Sequence, residues 1–282
     1  MPAFPFSRTA LLLLSLLLGA CAGATRVVYD NADTAVLILA DRYLDLEGKQ
    51  WKLARGSIGR FHAWHRQTEL PRYASLLQGA AGRVERGLTR DDVEWGIQSL
   101  RARYAVLVGA AVRESRPLLD ALDPDNVAAL ERHFAAEDQK RVRERLTGDP
   151  AKQERDRVAA IVKRFEEWTG PLSEAQKELV RRFVRSTADY PRYAHETRLR
   201  KQRELVELLQ RNVRAGNGSP AEDLRSHLLA WEDRGVPKRE FQARFVQLIL
   251  DLDRTLTSSQ RASAIERLRR YAEDCRQLER RG

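Results

Sequence analysis

The sequence predicts an all-α chain, a multi-helix body that is bundle-like or two-lobed, and three observations carry the prediction. Apolar residues recur at intervals of three and four, the spacing of one helix face. Alternating apolar and polar residues, the strand pattern, are nearly absent. The stretches between the stripes hold Gly and Pro in the order that ends one helix and starts the next. About nine or ten helices are expected from these signals.

The first element is not part of the body. Met1 to Thr9 carries one cation, Arg8, and Ala10 to Leu18 is apolar. That stretch is too short for a membrane span, which needs ~20 residues, and has the length of a signal-peptide core. It ends in Leu18, Gly19, Ala20 and Cys21, which resembles the lipobox of bacterial lipoproteins. The resemblance implies cleavage before Cys21 and a lipid on its sulfur. It also implies the outer membrane, because Ala22 stands where an inner-membrane retention signal would place Asp. Residues 1–20 are thus expected to be a signal peptide and residues 21–30 a tether. Arg26 to Tyr29 reads as a short extended piece of that tether.

The helical domain is expected over residues 31–282, with halves at 31–148 and 149–282. Val36 to Leu39 reads as helix. Val93, Ile97, Leu100, Tyr104 and Leu107 form one stripe, Val158, Ile161, Phe165 and Trp168 a second, and Phe241, Phe245, Leu248 and Leu252 a third. Breaks fall at Asp123-Pro124, Gly148-Asp149-Pro150, Gly170-Pro171, Gly216 to Pro220 and Gly235-Val236-Pro237.

Two repeats suggest an internal duplication. A helix-start device appears as Leu172-Ser173-Glu174-Ala175-Gln176 and as Leu256-Thr257-Ser258-Ser259-Gln260. Looser versions begin at Leu46, Leu88 and Leu122 and end on Gln50, Asp92 and Asn126. The Ser or Thr oxygen accepts from an orphan backbone N–H, the residue three further on reaches back, and the Leu staples the entry. The second repeat is Leu70-Pro71-Arg72-Tyr73-Ala74 and Tyr190-Pro191-Arg192-Tyr193-Ala194. Proline there bends a helix or starts a new one. Arg72, Tyr73, Arg192 and Tyr193 are expected on the surface as equivalent sites for a partner. Trp64 and His65, just upstream, read either as aromatic core packing or as part of the same patch.

Composition narrows the function. Lys and Arg total 50 against 40 acidic residues, for a net charge of +10. The charges alternate along almost every segment, as on solvated helix faces, with no basic cluster interleaved with aromatics. A chain exported by a lipobox is not expected to meet nucleic acid. With Cys21 taken by lipid, Cys275 has no disulfide partner, and its step with Ile265, Leu268 and Ala272 places it on a buried stripe. Five histidines are present, of which only His62 and His65 are neighbours, with Glu69 four residues beyond. No second histidine-bearing segment completes a zinc set, so no metal is expected. No Gly-x-Ser-x-Gly elbow and no Gly-rich phosphate loop occurs. Glu114-Ser115 matches the acid pair of lytic transglycosylases, but the Gly-Leu-Met-Gln companion is missing and Trp95-Gly96-Ile97-Gln98 lies on the wrong side of it. The chain is therefore read as no enzyme, with no cofactor and no small-molecule substrate.

The run Arg26 to Asp33, then Tyr43-Leu44-Asp45-Leu46, Gln50, Trp64-His65-Arg66 and Glu69 to Ala74, resembles a family of proteobacterial lipoproteins of unknown function. Leu256-Thr257-x-x-Gln260 is similar to the motif of Spy-type periplasmic chaperones. Together these imply a lipid-anchored protein of the outer membrane, facing the periplasm. It is expected to bind or scaffold an envelope partner, or alternatively to shield unfolded envelope proteins.

Overall fold

The computed structural model describes residues 27–215, 221–230 and 235–280. Among them, a helical turn at 27–30 precedes ten helices, and there is no strand. The helices are α1 (Ala32–Leu44), α2 (Gly48–Glu85), α3 (Arg90–Leu119), α4 (Pro124–Arg145) and α5 (Pro150–Thr169). They continue as α6 (Glu174–Ser186), α7 (Tyr190–Ala215), α8 (Ala221–Leu229), α9 (Val236–Thr255) and α10 (Ser258–Glu279). Residues 1–26, with the whole lipobox, and the 216–220 break lie outside the described residues.

All five Leu-led devices start helices, namely α2, α3, α4, α6 and α10. In α6 and α10 the Ser173 and Thr257 hydroxyls accept from the backbone N–H of Gln176 and Gln260, and each Gln Oε1 accepts from the cap residue's own N–H. Pro124 and Pro150 sit in the first turns of α4 and α5, where a missing N–H costs nothing.

Contacts between helices repeat along the chain. In the first half α1 packs on α2 and α4, and in the second α5 packs on α6 and α10. The final helix of each half then crosses to the other, α10 lying along α2 and α4 against α7. Two of the three core clusters join residues of both halves. One cluster joins Leu46, Val112, Val127 and Leu130 to Val206, Leu209 and Leu224 of the second half. A second joins Leu70, Tyr73 and Ala74 to Ala272, Cys275 and Leu278. A third, lined by Ile161, Val180, Phe183, Leu248 and Leu252, lies within the second half. At 38 residues, α2 is about 57 Å long and passes from the first cluster to the second.

Three expectations are corrected. Residues 27–30 are helical rather than extended, with Asn31 N–H donating to the Val27 carbonyl at 3.2 Å and the Asn31 side-chain amide donating to it at 2.7 Å. Pro71 neither ends nor restarts α2, which runs through it. The stripe from Val93 to Leu107 is only half-covered, with Leu100 exposed; the buried residues of α3 gather further on, at Val108, Ala110 and Val112. The second and third stripes do enter the core, through Ile161, Leu248 and Leu252.

Candidate functional site

The densest gathering of chemistry-bearing side chains lies in the middle of α2, against α10 and the turn at 27–30. Tyr29 is buried and its hydroxyl shares a 2.8 Å hydrogen bond with His65 Nδ1. Its ring packs 4.8 Å from that of His62, and the Arg66 guanidinium lies 5.2 Å above it. Arg66 also pairs with Asp30 at 2.8 Å. Tyr29 of this turn is thus held by three residues spaced along a single turn of α2.

One turn further, Glu69 is fully buried, 0% exposed, and pairs with Arg103 of α3 at 3.2 Å and with Arg72 at 3.9 Å. A buried carboxylate is tolerated only when paired, and Arg103 reaches it from a largely covered position. Tyr73 follows, its ring 5.5 Å from that of His65. Burial and then the Glu69 carboxylate raise its pKa above the usual phenol value. Burial, followed by the charge of His62, lowers His65 to about 4. Burial and the neighbouring Asp274 push the Cys275 thiol up to about 12. These groups are held in their neutral forms, with Glu69 and Arg103 neutralising each other. Such a site orients and fastens; its acid and base groups are committed to each other.

The residues expected to share a partner surface part company here. His65 and Tyr73 are buried, His65 against Tyr29 and Tyr73 in the cluster that α2 forms with α10. Trp64 is half-buried beside Phe61, at 5.6 Å between rings. Arg72 and Arg192 are exposed and Tyr193 is half-buried. The second Pro-Arg-Tyr copy opens α7, where Tyr190 stacks on Phe241 of α9 at 3.9 Å. Since α2 packs on α1, α3 and α10, and α7 on α4, α8 and α9, the two copies are set in different surroundings. Cys21, Leu18, Gly19 and Ala20 lie outside the described residues. His62, His65 and Glu69 do not make a metal site: His65 is engaged by Tyr29 and Glu69 by arginines, and no group of three potential ligands occurs among the described residues.

A second arrangement escaped sequence reasoning altogether. The capping amides do more than cap, because they pair across helices. Gln176 and Gln260 donate to each other's Oε1 at 2.9 and 3.0 Å, and their amides also donate to the carbonyls of Thr255 and Pro171. Gln50 and Asn126 do the same at 2.7 and 3.1 Å, with further bonds to Ala121 and Leu44. Each pair ties two helix starts into one closed polar knot. The fifth device ends on Asp92, which can accept but not donate, and it takes Arg83 and Arg86 at 3.2 and 2.6 Å instead of an amide. The recurrence of Gln or Asn at the same offset was the available signal; its partner was not.

Among the described residues no helix is long and apolar enough to cross a membrane. No curated protein and no solved structure matches the chain. Residues 42–231 match a sequence family that spans α2 to α8 and so includes the Glu69 site and the Gln50–Asn126 knot, and the chain belongs to that family, described as a family of unknown function (DUF6279).

Proposed function

We propose that the chain is a non-enzymatic lipoprotein, anchored through Cys21 in the outer membrane and facing the periplasm, whose helical body binds or scaffolds an envelope partner. One observation carries the reading: the segment that follows the lipobox is fastened into the body within eight residues of Cys21, at Tyr29. A loose chain would let the body drift from its anchor; the Tyr29–His65 bond and the Arg66–Asp30 pair hold the body to it. The engagement of Glu69 by Arg103 and Arg72, and of His65 by Tyr29, favours a scaffold over a catalyst.

The alternative, a chaperone-like protein, needs a contiguous apolar surface of about 400 Å² or more. The large apolar side chains exposed among the described residues are Val27, Ile38, Trp51, Leu100, Val106 and Val236. They are dispersed over the first turn, α1, α2, α3 and α9, which favours the scaffold.

Growth with a clickable palmitate analogue should label the wild type and not Cys21→Ser. A photocrosslinker placed at exposed Arg192 should then capture a reproducible envelope protein. An unlabelled wild type would overturn the anchor, and a labelled protein that captures nothing from either Arg192 or Arg72 would overturn the scaffold role.

A further inference from the structure

The first turn and α1 carry an uncovered stripe. Val27, Asn31, Thr34, Ala35, Ile38 and Arg42 are all exposed and fall at helical spacing on one face. The i→i−4 bonds run through the junction, Asn31 N–H to Val27 and Ala35 N–H to Asn31, so the register is kept from the turn into the helix. Val27 and Ile38 are 64% and 65% exposed, the two most exposed large apolar side chains of the described residues. The opposite face holds Tyr29, Ala32 and Leu37 in the protein.

The stripe contains no carboxylate. The neighbouring acids are engaged, Asp30 with Arg66, Asp33 with the Thr34 N–H, and Asp41 with the Leu46 N–H. What remains is two apolar side chains, small neutral residues and one cation, a face suited to the boundary between headgroups and acyl chains.

What covers this face follows from the length of chain before it. Six residue steps separate Cys21 from Val27, at most about 22 Å when fully extended. Tyr29 fixes the far end of that span against α2. We propose that this stripe rests on the lipid leaflet that holds the acyl chains of Cys21, so that α1 lies along the membrane and α2 and α4 are stacked behind it. The proposal rests on the anchor reading above and adds an orientation to it.

The full-length lipidated protein, reconstituted in phosphatidylethanolamine–phosphatidylglycerol vesicles, provides the test. In a Cys275→Ser background, an environment-sensitive dye on Ile38→Cys or Val27→Cys is compared with the same dye on Val236→Cys, at the exposed start of α9. All three positions are exposed, so the substitutions leave the core intact. Quenching by headgroup-nitroxide lipids is expected to be at least about twofold stronger at 38 and 27 than at 236. Equal quenching in protein whose mass shows the acyl chains would overturn the orientation and leave the anchor standing. A mass lacking them would overturn both.

Discussion

Gln176 and Gln260, 84 residues apart, exchange two amide hydrogen bonds, each donating to the other's Oε1 at 2.9 and 3.0 Å. Each Oε1 also accepts from the N–H of its own cap residue, Ser173 or Thr257. An amide accepts at its oxygen and donates at its nitrogen, so it can cap one helix and bond to the start of another. A like exchange, between Gln50 and Asn126, joins the starts of α2 and α4.

 The leucines that precede these two helix starts, Leu46 and Leu122, are both buried.

Replacing Gln176 with Ala should therefore cost much more than removing a cap. Ser173→Ala forfeits one capping bond, about 1 kcal/mol. Gln176→Ala also removes one partner from each side of the buried Gln260 amide and leaves the Ser173 N–H and the Thr255 carbonyl without theirs, for a total of about 3 kcal/mol. Denaturant unfolding of the two variants measures the difference. Equal losses would mean that the pairing across helices contributes nothing beyond the caps.

Burial of Glu69 against Arg103 makes a second prediction. Arg103→Met leaves a carboxylate that is 0% exposed with only the more distant Arg72, and should cost about 3 kcal/mol. In Glu69→Gln/Arg103→Met the stranded charge is gone, and much of that loss should return. A double-mutant cycle by equilibrium unfolding reads the coupling directly. Additive losses would show that the pair is not coupled.

The parts of this fold that depend on neighbours in sequence were legible, and those that depend on distant partners were not. Ser173 three residues before Gln176 announces a capped helix because the capping bonds close within one turn. Nothing local says where the remaining amide N–H will point, and that is the bond that ties α6 to α10. Glu69 and Arg103 are 34 residues apart on separate helices, so neither the pair nor its burial has a periodic signature. Tyr73 is expected on the surface from the repeated Pro-Arg-Tyr, and His65 is open between core and patch, because local sequence does not say which face of α2 is covered. Whether Pro71 breaks α2 depends on packing, and α10 supports the helix across that point.

His65 predicts how stability depends on pH. Burial holds its folded-state pKa at about 4, below the ordinary 6.5, so between these values the unfolded chain binds a proton that the folded chain refuses. Its neutral form is fully accommodated above the unfolded value, and stability falls as the pH drops from there toward 4. Between pH 7.5 and 5.0 this one residue should remove about 2 kcal/mol. His65→Gln should lessen the loss over that interval by a similar amount, measured by urea unfolding at the two pH values. An unchanged pH dependence in the variant would rule out His65 as its source.

Cys275 completes the argument, because the same burial governs a reaction. It is 3% exposed between Leu70, Tyr73 and Leu278, and burial with the adjacent Asp274 pushes its pKa up to about 12. The thiolate is the reactive form, and near pH 7 such a thiol holds only about one part in 10⁵ of it, behind a closed helix interface. An aromatic disulfide reagent should therefore leave the native protein untouched over hours and react with Cys275 once guanidinium unfolds the chain. The lipidated protein should yield one reactive thiol per unfolded chain, and Cys275→Ser should yield none. Rapid modification of the native protein at Cys275 would mean that α10 opens from α2 readily, and the interface between the two halves would then be far weaker than its burial implies.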